Sequence, residues 1–490
     1  MSKKIVLFLF FGLLIFLFTY SPQTVKASMN GTCGPNLTWT LDDDGVLTVR
    51  GTGEMDDYEV VNPNDLYTAN RTNSPFMDFI GDIESIIIEE GVTSVGNGAF
   101  VYCGNDTIEI AGSVTTIGKE AFLFSRAQKL VLHEGIKKID TNAFNQCKEL
   151  RSIILPHSLT SLGYSVFLGC SSLEELILSD NLISFSITNI AGCTNLKSLT
   201  IPEKCTKVEH YIASCQNTHI NYYKLDKILV APGNKHYKSV DGVLYTNDGL
   251  ELVFYPPGKK ESFYKIPSEV TSLNDGAFSD ANYLTKVEIP DGIKTIPEVA
   301  FMQSGLISVT IPKSVEAIEA DAFNKCRSLE TVHILGDISY IDYNAFAFCN
   351  SLKGVYFYGS IGSFSPIAFN ETTTTVYYPI GDLSWSYIIS SDLYGNVTWK
   401  GLFTLAKPGN LLVKKDIKGV KITWDKLMNA DKYVIYRKTG NNSWTKLKTT
   451  TKTTWIDTTA NKKGTKYYYR IVAVDGSIKS QSSDHKSIKL

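Results

Sequence analysis

The sequence predicts a β-rich solenoid built on a parallel sheet, followed by an all-β sandwich of the immunoglobulin-like kind. Three observations predict this fold class. Neighbouring Ala-Phe pairs are 22 or 23 residues apart, a short alternating apolar phrase stands between the pairs, and after residue 401 the pattern changes to short alternating strands. Self-similarity at a period of about 20 to 50 residues is typical of repeat architectures. The hydrophobic fraction of 43% over 490 residues excludes wholesale disorder.

The Ala-Phe pairs predict the interior of the repeat. A single coil of this length cannot bury its apolar side alone, whereas stacked coils join those sides into one continuous core. We expect the Ala where coils approach closely and the Phe inside the core. The pairs are Ala99-Phe100, Ala121-Phe122, Ala143-Phe144, Ala277-Phe278, Ala300-Phe301, Ala322-Phe323, Ala345-Phe346 and Ala368-Phe369, with Val166-Phe167 in the same phase.

The phrase between the pairs predicts a strand, a turn, and an irregular or short helical return. It runs over 150–163 and recurs over 309–318. Side chains alternate along a strand, so Ile153 and Leu155 point one way and Ile154 points the other. We expect Ile153 and Leu155 inside the solenoid and Ile154 on its surface.

This phrase resembles the BspA-type leucine-rich repeats of bacterial surface proteins, and the resemblance covers residues 29 to about 376. The stretch 31–53 looks like the β-hairpin cap that precedes such repeats, within an N-terminal region of residues 28–80. The leucine-rich-repeat solenoid is then expected over 81–376. The resemblance is specific for the fold and says little about the ligand.

A longer repeat interrupts the rhythm between Ala213 and Ala277. Residues from about 216 to 265 look like the longer repeat variant of the same family. We expect a protruding hairpin there, near residues 237–259. Residues 377–402 are expected to form a C-terminal cap and linker.

The last segment, 403–490, differs in charge from the rest of the chain. It holds 19 Lys and Arg against 6 Asp and no Glu, a net charge of +13, which leaves −15 for residues 1–402. Its short alternating strands predict a β-sandwich. It resembles a fibronectin type III domain, with Trp424 as the core aromatic residue and Tyr467 at the tyrosine-corner position.

The first 27 residues have the pattern of a signal peptide. Lys3 and Lys4 precede an apolar run over 5–18, and Val25-Lys26-Ala27 resembles a cleavage site. A retained anchor is the alternative, although a spanning helix needs roughly 20 apolar residues. No later stretch is long and apolar enough to cross a membrane. We expect a secreted, extracellular protein, either released or attached noncovalently to the cell surface.

The cysteines share one repeat position, three residues after the Phe or its substitute. A column of buried free thiols explains that phase, because free Cys packs as a small hydrophobic residue. An occasional disulfide between neighbouring coils is the alternative. The residues are Cys103, Cys147, Cys170, Cys193, Cys215, Cys326 and Cys349.

No motif indicates catalysis, because the Ser-x-x-Lys matches that begin at Ser443 and Ser483 lie in or beyond the predicted sandwich, where no helix would align the two side chains. There is no Cys-x-x-Cys, G-x-S-x-G or H-E-x-x-H pattern and no phosphate loop. The run Asp42-Asp43-Asp44-Gly45 lacks the spacing of a calcium loop and fits a hairpin turn. We therefore expect no catalytic residue, no metal site, no cofactor and no enzyme activity.

The repeat leaves one column of side chains free to face outward, and four of its first five members are aliphatic. An exposed apolar stripe is a candidate contact surface. The alternative is that β-branched residues merely suit a parallel sheet. The column comprises Ile87, Glu109, Val131, Ile154, Ile177, Thr200, Glu288, Thr310, His333 and Tyr356. The predicted ligand-binding residues among them are Ile87, Val131, Ile154, Ile177, His333 and Tyr356.

The sequence therefore predicts a secreted or cell-surface, adhesin-like binding protein that recognises a protein or glycan of a host or bacterial surface through its repeat face. The alternative is a non-catalytic accessory or scaffold of extracellular polymer degradation. The basic C-terminal segment could in addition contact an anionic cell-wall polymer, or serve only as a spacer. Nucleic acid is not an expected partner.

Overall fold

The structure is a computed structural model that describes residues 29–61, 71–209, 224–380, 382–390, 396–402, 407–427, 430–475 and 478–490. The predicted signal peptide, Ala213 and Cys215 lie outside the described residues. The described part is a parallel β-solenoid with a repeat of about 23 residues, followed by antiparallel sheets and containing almost no helix. The predicted fold class is confirmed.

An antiparallel hairpin begins the solenoid. Strands β1 to β3 pair antiparallel, and β3 then pairs in parallel with the first strand of the repeats. Trp39 lies beneath this cap and contacts the rings of Phe76 and Phe79. The strands are β1 (Met29–Gly34), β2 (Leu37–Leu41), β3 (Val46–Gly51), β4 (Gly53–Glu54), β5 (Val60–Val61) and β6 (Arg71–Thr72), followed by a 3-10 turn at Met77–Phe79.

Each coil of the first half contributes one strand to each of two rows. The odd-numbered strands from β7 to β15 extend the sheet of the cap, and the even-numbered strands from β8 to β14 join β4 in a second parallel sheet. The strands are β7 (Ser85–Ile88), β8 (Val92–Val95), β9 (Thr107–Ile110), β10 (Thr116–Ile117), β11 (Lys129–Leu132), β12 (Lys138–Ile139), β13 (Ser152–Ile154), β14 (Ser161–Leu162), β15 (Glu175–Ile177), β16 (Ser184–Ser186), β17 (Ser198–Ile201) and β18 (Lys207–Glu209), with a 3-10 turn at Ile187–Ile190.

A meander separates the two halves of the solenoid. Strand β19 still pairs in parallel with β17, but β20, β21 and β22 pair antiparallel, and β22 returns to parallel pairing with β24. The strands are β19 (Lys227–Val230), β20 (Tyr237–Val240), β21 (Val243–Thr246), β22 (Glu251–Phe254), β23 (Phe263–Lys265) and β24 (Ser272–Leu273).

The expectation of a protruding hairpin near residues 237–259 is wrong. Leu244 and Phe254 belong to the core of the first half, whereas Tyr245 and Leu252 belong to the core of the second half. Strands β21 and β22 are therefore buried on both faces, because each contributes side chains to both cores.

The second half repeats the two-row arrangement and extends its longer sheet to Leu402. That sheet has the order β23, β25, β27, β29, β31, β33, β34, and the shorter one has the order β26, β28, β30, β32. The elements are β25 (Lys286–Glu288), β26 (Thr295–Ile296), β27 (Ser308–Ile311), β28 (Ala317–Ile318), β29 (Thr331–Ile334), β30 (Ile338–Ile341), β31 (Gly354–Phe357), β32 (Ile361–Phe364), β33 (Thr374–Pro379), a 3-10 turn at Leu383–Trp385, α1 (Ser386–Ile389) and β34 (Val397–Leu402).

Stacked Phe rings form the interior of both halves, as the Ala-Phe spacing predicts. Ring centroids of consecutive coils lie 4.7–6.0 Å apart from Phe76 to Phe167. A second stack runs from Tyr255 to Phe369 with centroids 5.0–5.4 Å apart. The paired Ala side chains are buried wherever they occur. The first stack ends at Phe167, because buried Ile190 takes the place of the Phe in the next coil.

The cysteines of the described residues are free and buried, as predicted, and the structure adds what they do. The thiol of Cys147 donates to the carbonyl oxygen of Phe122 in the preceding coil at 3.4 Å, and Cys326 donates to Phe301 at 3.0 Å. In the last coil Thr372 takes this position, and its hydroxyl donates to Phe346 at 2.8 Å. The repeat position therefore suits a small side chain that can donate to the neighbouring coil.

The C-terminal module packs one three-stranded and one five-stranded antiparallel sheet around a shared core. Trp424 is buried against Tyr433, and the Lys462 amide donates to the Tyr467 hydroxyl at 3.3 Å. The strands are β35 (Leu412–Asp416), β36 (Gly419–Thr423), β37 (Lys432–Thr439), β38 (Thr445–Thr450), β39 (Thr454–Asp457), β40 (Lys466–Asp475), β41 (Ile478–Lys479) and β42 (Lys486–Lys489).

Candidate functional site

Each half has one longer parallel sheet, which runs from β7 to β15 in the first half and from β23 to β34 in the second, and we call these two the long-strand sheets. They present the predicted outward column to solvent. Ile153 and Leu155 are each only 2% exposed, whereas Ile154 between them is 64% exposed. The predicted inward and outward phase of the repeat is therefore correct.

Aliphatic residues occupy this column in the first half of the solenoid. Ile87 and Val131 are half-buried, and Ile177 is 44% exposed beside Ile154. Glu109 stands between Ile87 and Val131 in register, and its carboxylate lies 3.0 Å from His133 Nε2. Because neighbouring strands are about 4.8 Å apart, Ile154 and Ile177 form one continuous apolar patch.

The patch continues toward the meander. Thr200 on β17 lies in register with Leu229 on β19, whose side chain is 42% exposed. Both residues line an open groove of about 730 Å³ that is also bordered by Pro232, Tyr237 and Lys238. We call the side chains of Ile87, Val131, Ile154, Ile177 and Leu229 the aliphatic stripe.

Aromatic residues occupy the same column in the second half. His333, Tyr356 and Tyr377 lie in register on β29, β31 and β33, with ring centroids 4.7 and 4.4 Å apart. Lys400 follows in register on β34, and its Nζ lies 6.0 Å from the Tyr377 ring centroid. We call these four residues the aromatic ladder.

The aromatic ladder offers ring edges to a partner. The rings are nearly parallel, with interplanar angles of 12° and 3°, so the faces between consecutive rings are covered by one another. His333 Nδ1 lies 3.2 Å from the Tyr358 hydroxyl, and burial lowers the pKa of His333 below its usual range. The stack stabilises the sheet and leaves hydroxyl groups, but few free ring faces, for a ligand.

The repeat region matches a known family. Residues 72–188, 116–231 and 253–375 match the BspA type Leucine rich repeat region, with six copies over more than half of the chain. The chain belongs to the BspA-type leucine-rich repeat family. Proteins of this family are typically bacterial surface proteins, and they are repeat proteins that are generally non-enzymatic.

Solved structures of bacterial leucine-rich repeat proteins share the fold. A leucine-rich repeat protein from Eubacterium ventriosum is 22% identical, with a TM-score of 0.51 over 78% of this chain and 87% of that chain. The pneumococcal vaccine antigen PcpA is 21% identical, with a TM-score of 0.53 over 77% of this chain and 99% of that chain. At these identities the likeness concerns the fold alone. No curated protein matches the chain.

Membership of the BspA-type family does not say which surface residues bind. The six predicted ligand-binding residues all lie on the long-strand sheets, but the structure divides them between two regions. Ile87, Val131, Ile154 and Ile177 belong to the aliphatic stripe, whereas His333 and Tyr356 belong to the aromatic ladder. Their role in binding stays a prediction.

Sequence reasoning missed three members of these surfaces. Leu229 follows the break in the repeat rhythm, and Tyr377 and Lys400 follow the last Ala-Phe pair. The alternation in Thr374–Pro379 and Val397–Leu402 is the sequence signal that could have placed the latter two on strands of the same sheet.

The acidic run near the N-terminus forms a turn, as predicted. The Asp42 carboxylate accepts from the amides of Asp44 and Val46, and Gly45 has a φ of +78°, a left-handed conformation that favours glycine. The described residues contain no group of three or more His, Cys, Asp or Glu side chains placed to hold a metal ion. Within the same residues no helix has the length and hydropathy needed to span a membrane.

Proposed function

We propose that this BspA-type protein is an adhesin-like surface protein whose aliphatic stripe binds a partner protein. The observation that supports this proposal is the exposure of Ile154 and Ile177, 64% and 44%, on adjacent strands of a rigid parallel sheet. Complete burial of an exposed aliphatic side chain contributes about 1.5–3 kcal/mol, so a partner that covers both residues would gain a fraction of this from each.

A protein partner fits this surface better than a glycan. Aliphatic side chains gain free energy from removing apolar surface from water without directional contacts. Recognition of a sugar ring relies on free aromatic faces and many polar groups, and the faces between rings of the aromatic ladder are covered. The groove beside Leu229 extends the stripe and could accept a side chain that projects from the partner.

We further propose that the C-terminal module is a fibronectin type III domain that serves the repeat face as a spacer. Its two packed antiparallel sheets, the buried Trp424 and the amide-to-hydroxyl bond from Lys462 to Tyr467 support the assignment. A bond from a corner tyrosine to the backbone a few residues upstream is typical of such sandwiches.

The test of the repeat face is a double substitution, Ile154→Lys with Ile177→Lys. Both side chains are exposed, so we expect the fold to survive, while a bound partner would have to bury two unpaired ammonium groups. The full chain is screened by biolayer interferometry against purified surface and matrix proteins and against a glycan array. We expect a protein ligand, with affinity at least about tenfold weaker for the double variant.

The control is Ile183→Lys. Ile183 is 55% exposed and lies just before β16, away from the long-strand sheet, so it matches the tested residues in type and exposure. We expect unchanged affinity for this variant. Unchanged binding in the double variant, or capture of glycans only, would contradict the proposed protein-binding stripe.

A further inference from the structure

The C-terminal module carries a row of alternating aromatic rings and cations on one face. On β40 the buried Tyr467, Tyr469 and Ile471 point into the sandwich. The residues between and beside them, Lys466, Tyr468 and Arg470, therefore point outward from the five-stranded sheet.

Side chains from neighbouring strands complete this row. Arg470 Cζ lies 5.2 Å from the Tyr436 ring centroid and 4.6 Å from that of Trp444. Lys438 Nζ lies 5.3 Å from Trp444 and 5.5 Å from Tyr468, and Lys466 Nζ lies 5.2 Å from Tyr468. The order is Tyr436, Arg470, Trp444, Lys438, Tyr468 and Lys466, and we call it the ring–cation row.

The row holds its positive charges in place without neutralising them. A ring attracts a cation by about 0.5–1 kcal/mol at an exposed site, yet leaves its full charge to act on other groups. Among the described residues, no carboxylate lies within 4.0 Å of the Lys438, Lys466 or Arg470 cations. The buried Nε of Arg470 likewise has no hydrogen-bond acceptor among the residues that the structure describes.

Other groups strengthen the field of the same face. Lys446 is paired with Tyr436, and Lys489 with Lys466, so both ammonium groups lie on the side of the row. Two of the six carboxylates in the module are engaged elsewhere, since Asp457 accepts from Arg437 at 2.7 Å and Asp484 pairs with Lys407 at 2.6 Å. The face therefore carries the three cations of the row together with Lys446 and Lys489.

We propose that the ring–cation row binds a polyol-phosphate polymer of the bacterial cell wall. A row of cations separated by aromatic rings complements an anion that repeats along a flexible chain, and the family's surface location places such a polymer within reach. Single-stranded nucleic acid is a poorer fit, because its bases need free ring faces and these rings already stack on cations. The binding is independent of any ligand of the aliphatic stripe.

The test compares two triple variants of the full chain that lose the same charge. The first is Lys438→Gln, Lys466→Gln and Arg470→Gln. The matched control is Lys414→Gln, Lys415→Gln and Lys418→Gln, whose residues are exposed on β35 and the turn after it, on the other sheet. Affinity for purified poly(glycerol phosphate) is measured between 50 and 200 mM salt, with single-stranded DNA and a sulfated polysaccharide of equal length as competitors.

We expect the first triple variant to bind at least tenfold more weakly and its slope of log affinity against log salt to fall by about 2. The control triple should change affinity less than threefold. Equal losses in the two triples would overturn the proposal in favour of net charge alone. Tighter binding of DNA or sulfated polysaccharide than of poly(glycerol phosphate) would overturn the proposed occupant.

Two further measurements keep the result interpretable. If the first triple variant has a lower melting temperature than the unaltered chain, the single variant Lys466→Gln, at an exposed residue, replaces it. We expect this variant to lose two- to threefold in affinity for poly(glycerol phosphate). Unchanged affinity would contradict binding by the ring–cation row. The Ile154→Lys and Ile177→Lys double variant should bind poly(glycerol phosphate) like the unaltered chain. A failure of the protein-binding stripe is thereby separated from a failure of the row.

Discussion

The two halves of the solenoid have the same kind of core but different outward surfaces. Both halves stack the aromatic rings of consecutive coils at nearly the same spacing. The outward column, however, holds the exposed Ile154 and Ile177 in the first half and the mutually stacked His333, Tyr356 and Tyr377 in the second. The repeat therefore dictates the core but leaves the outward positions free, and any difference in function between the halves has to lie there.

The largest effect on stability should come from removing one ring from either Phe stack. Phe144→Ala and Phe323→Ala each remove one ring from a stack and should each cost about 3–5 kcal/mol of unfolding free energy. Because the two cores are separate clusters, hydrogen exchange followed by mass spectrometry should show the loss mainly in the half that carries the substitution. Ile154→Ala on the exposed column is the control and should cost under about 0.5 kcal/mol. A loss spread evenly over both halves would contradict two separable cores.

A smaller effect should distinguish the halves by pH. Burial raises the pKa of Asp280 in the second half to about 8, with Lys325 opposing the shift. In the first half, burial of Asp140 is outweighed by hydrogen bonds from Lys138 and the Thr141 amide, and its pKa is lowered. A raised carboxyl pKa means that the folded state binds the proton more tightly, so stability present at pH 4 is lost as the pH rises toward 8.

Asp280→Asn should therefore stabilise the second half by roughly 2 kcal/mol at pH 8 and have little effect at pH 4. The amide keeps the shape of the side chain and carries no charge at either pH. Denaturant unfolding at the two pH values measures the difference. Equal stabilisation at both values would mean that the charge of Asp280 is not the cause.

The smallest effect concerns the aromatic ladder. Burial lowers the pKa of His333, so the folded state favours the neutral ring, and stability should be lost as the pH falls from 7 through that lowered pKa. His333 is only half-buried, so the loss should not exceed about 0.5 kcal/mol. His333→Gln should remove this part of the acid dependence, which unfolding curves at pH 7 and pH 5 would detect. An unchanged acid dependence would show that protonation of His333 does not cause this loss of stability.

The regular features of the fold could be predicted because they repeat. The Ala-Phe spacing gave the stacking of the core, and the phase of Ile153 and Ile154 gave the outward column. The prediction of a protruding hairpin at the meander was wrong, although the sequence there indicates buried strands. The apolar runs over 243–245 and 252–255 are continuous, which is typical of strands buried on both faces rather than of a protruding hairpin.

The surfaces could be predicted only in part, because they depend on which strands become neighbours. Tyr377 and Lys400 join the aromatic ladder through parallel pairing that no Ala-Phe pair marks. The ring–cation row draws its members from β37, β40 and the residue before β38. Charge counting identified a basic domain, but the alternation of rings and cations arises from contacts between strands that are distant in sequence.

In an adhesin of the kind proposed above, the meander would have a mechanical consequence. Parallel pairs run in sequence from β3 to β15 and from β23 to β34, whereas β20, β21 and β22 pair antiparallel between those two series. Tension along the molecule would act on this region, where β21 and β22 contribute side chains to both cores. Because the two cores are separate clusters, one half would be able to unfold under tension while the other half stays folded and bound.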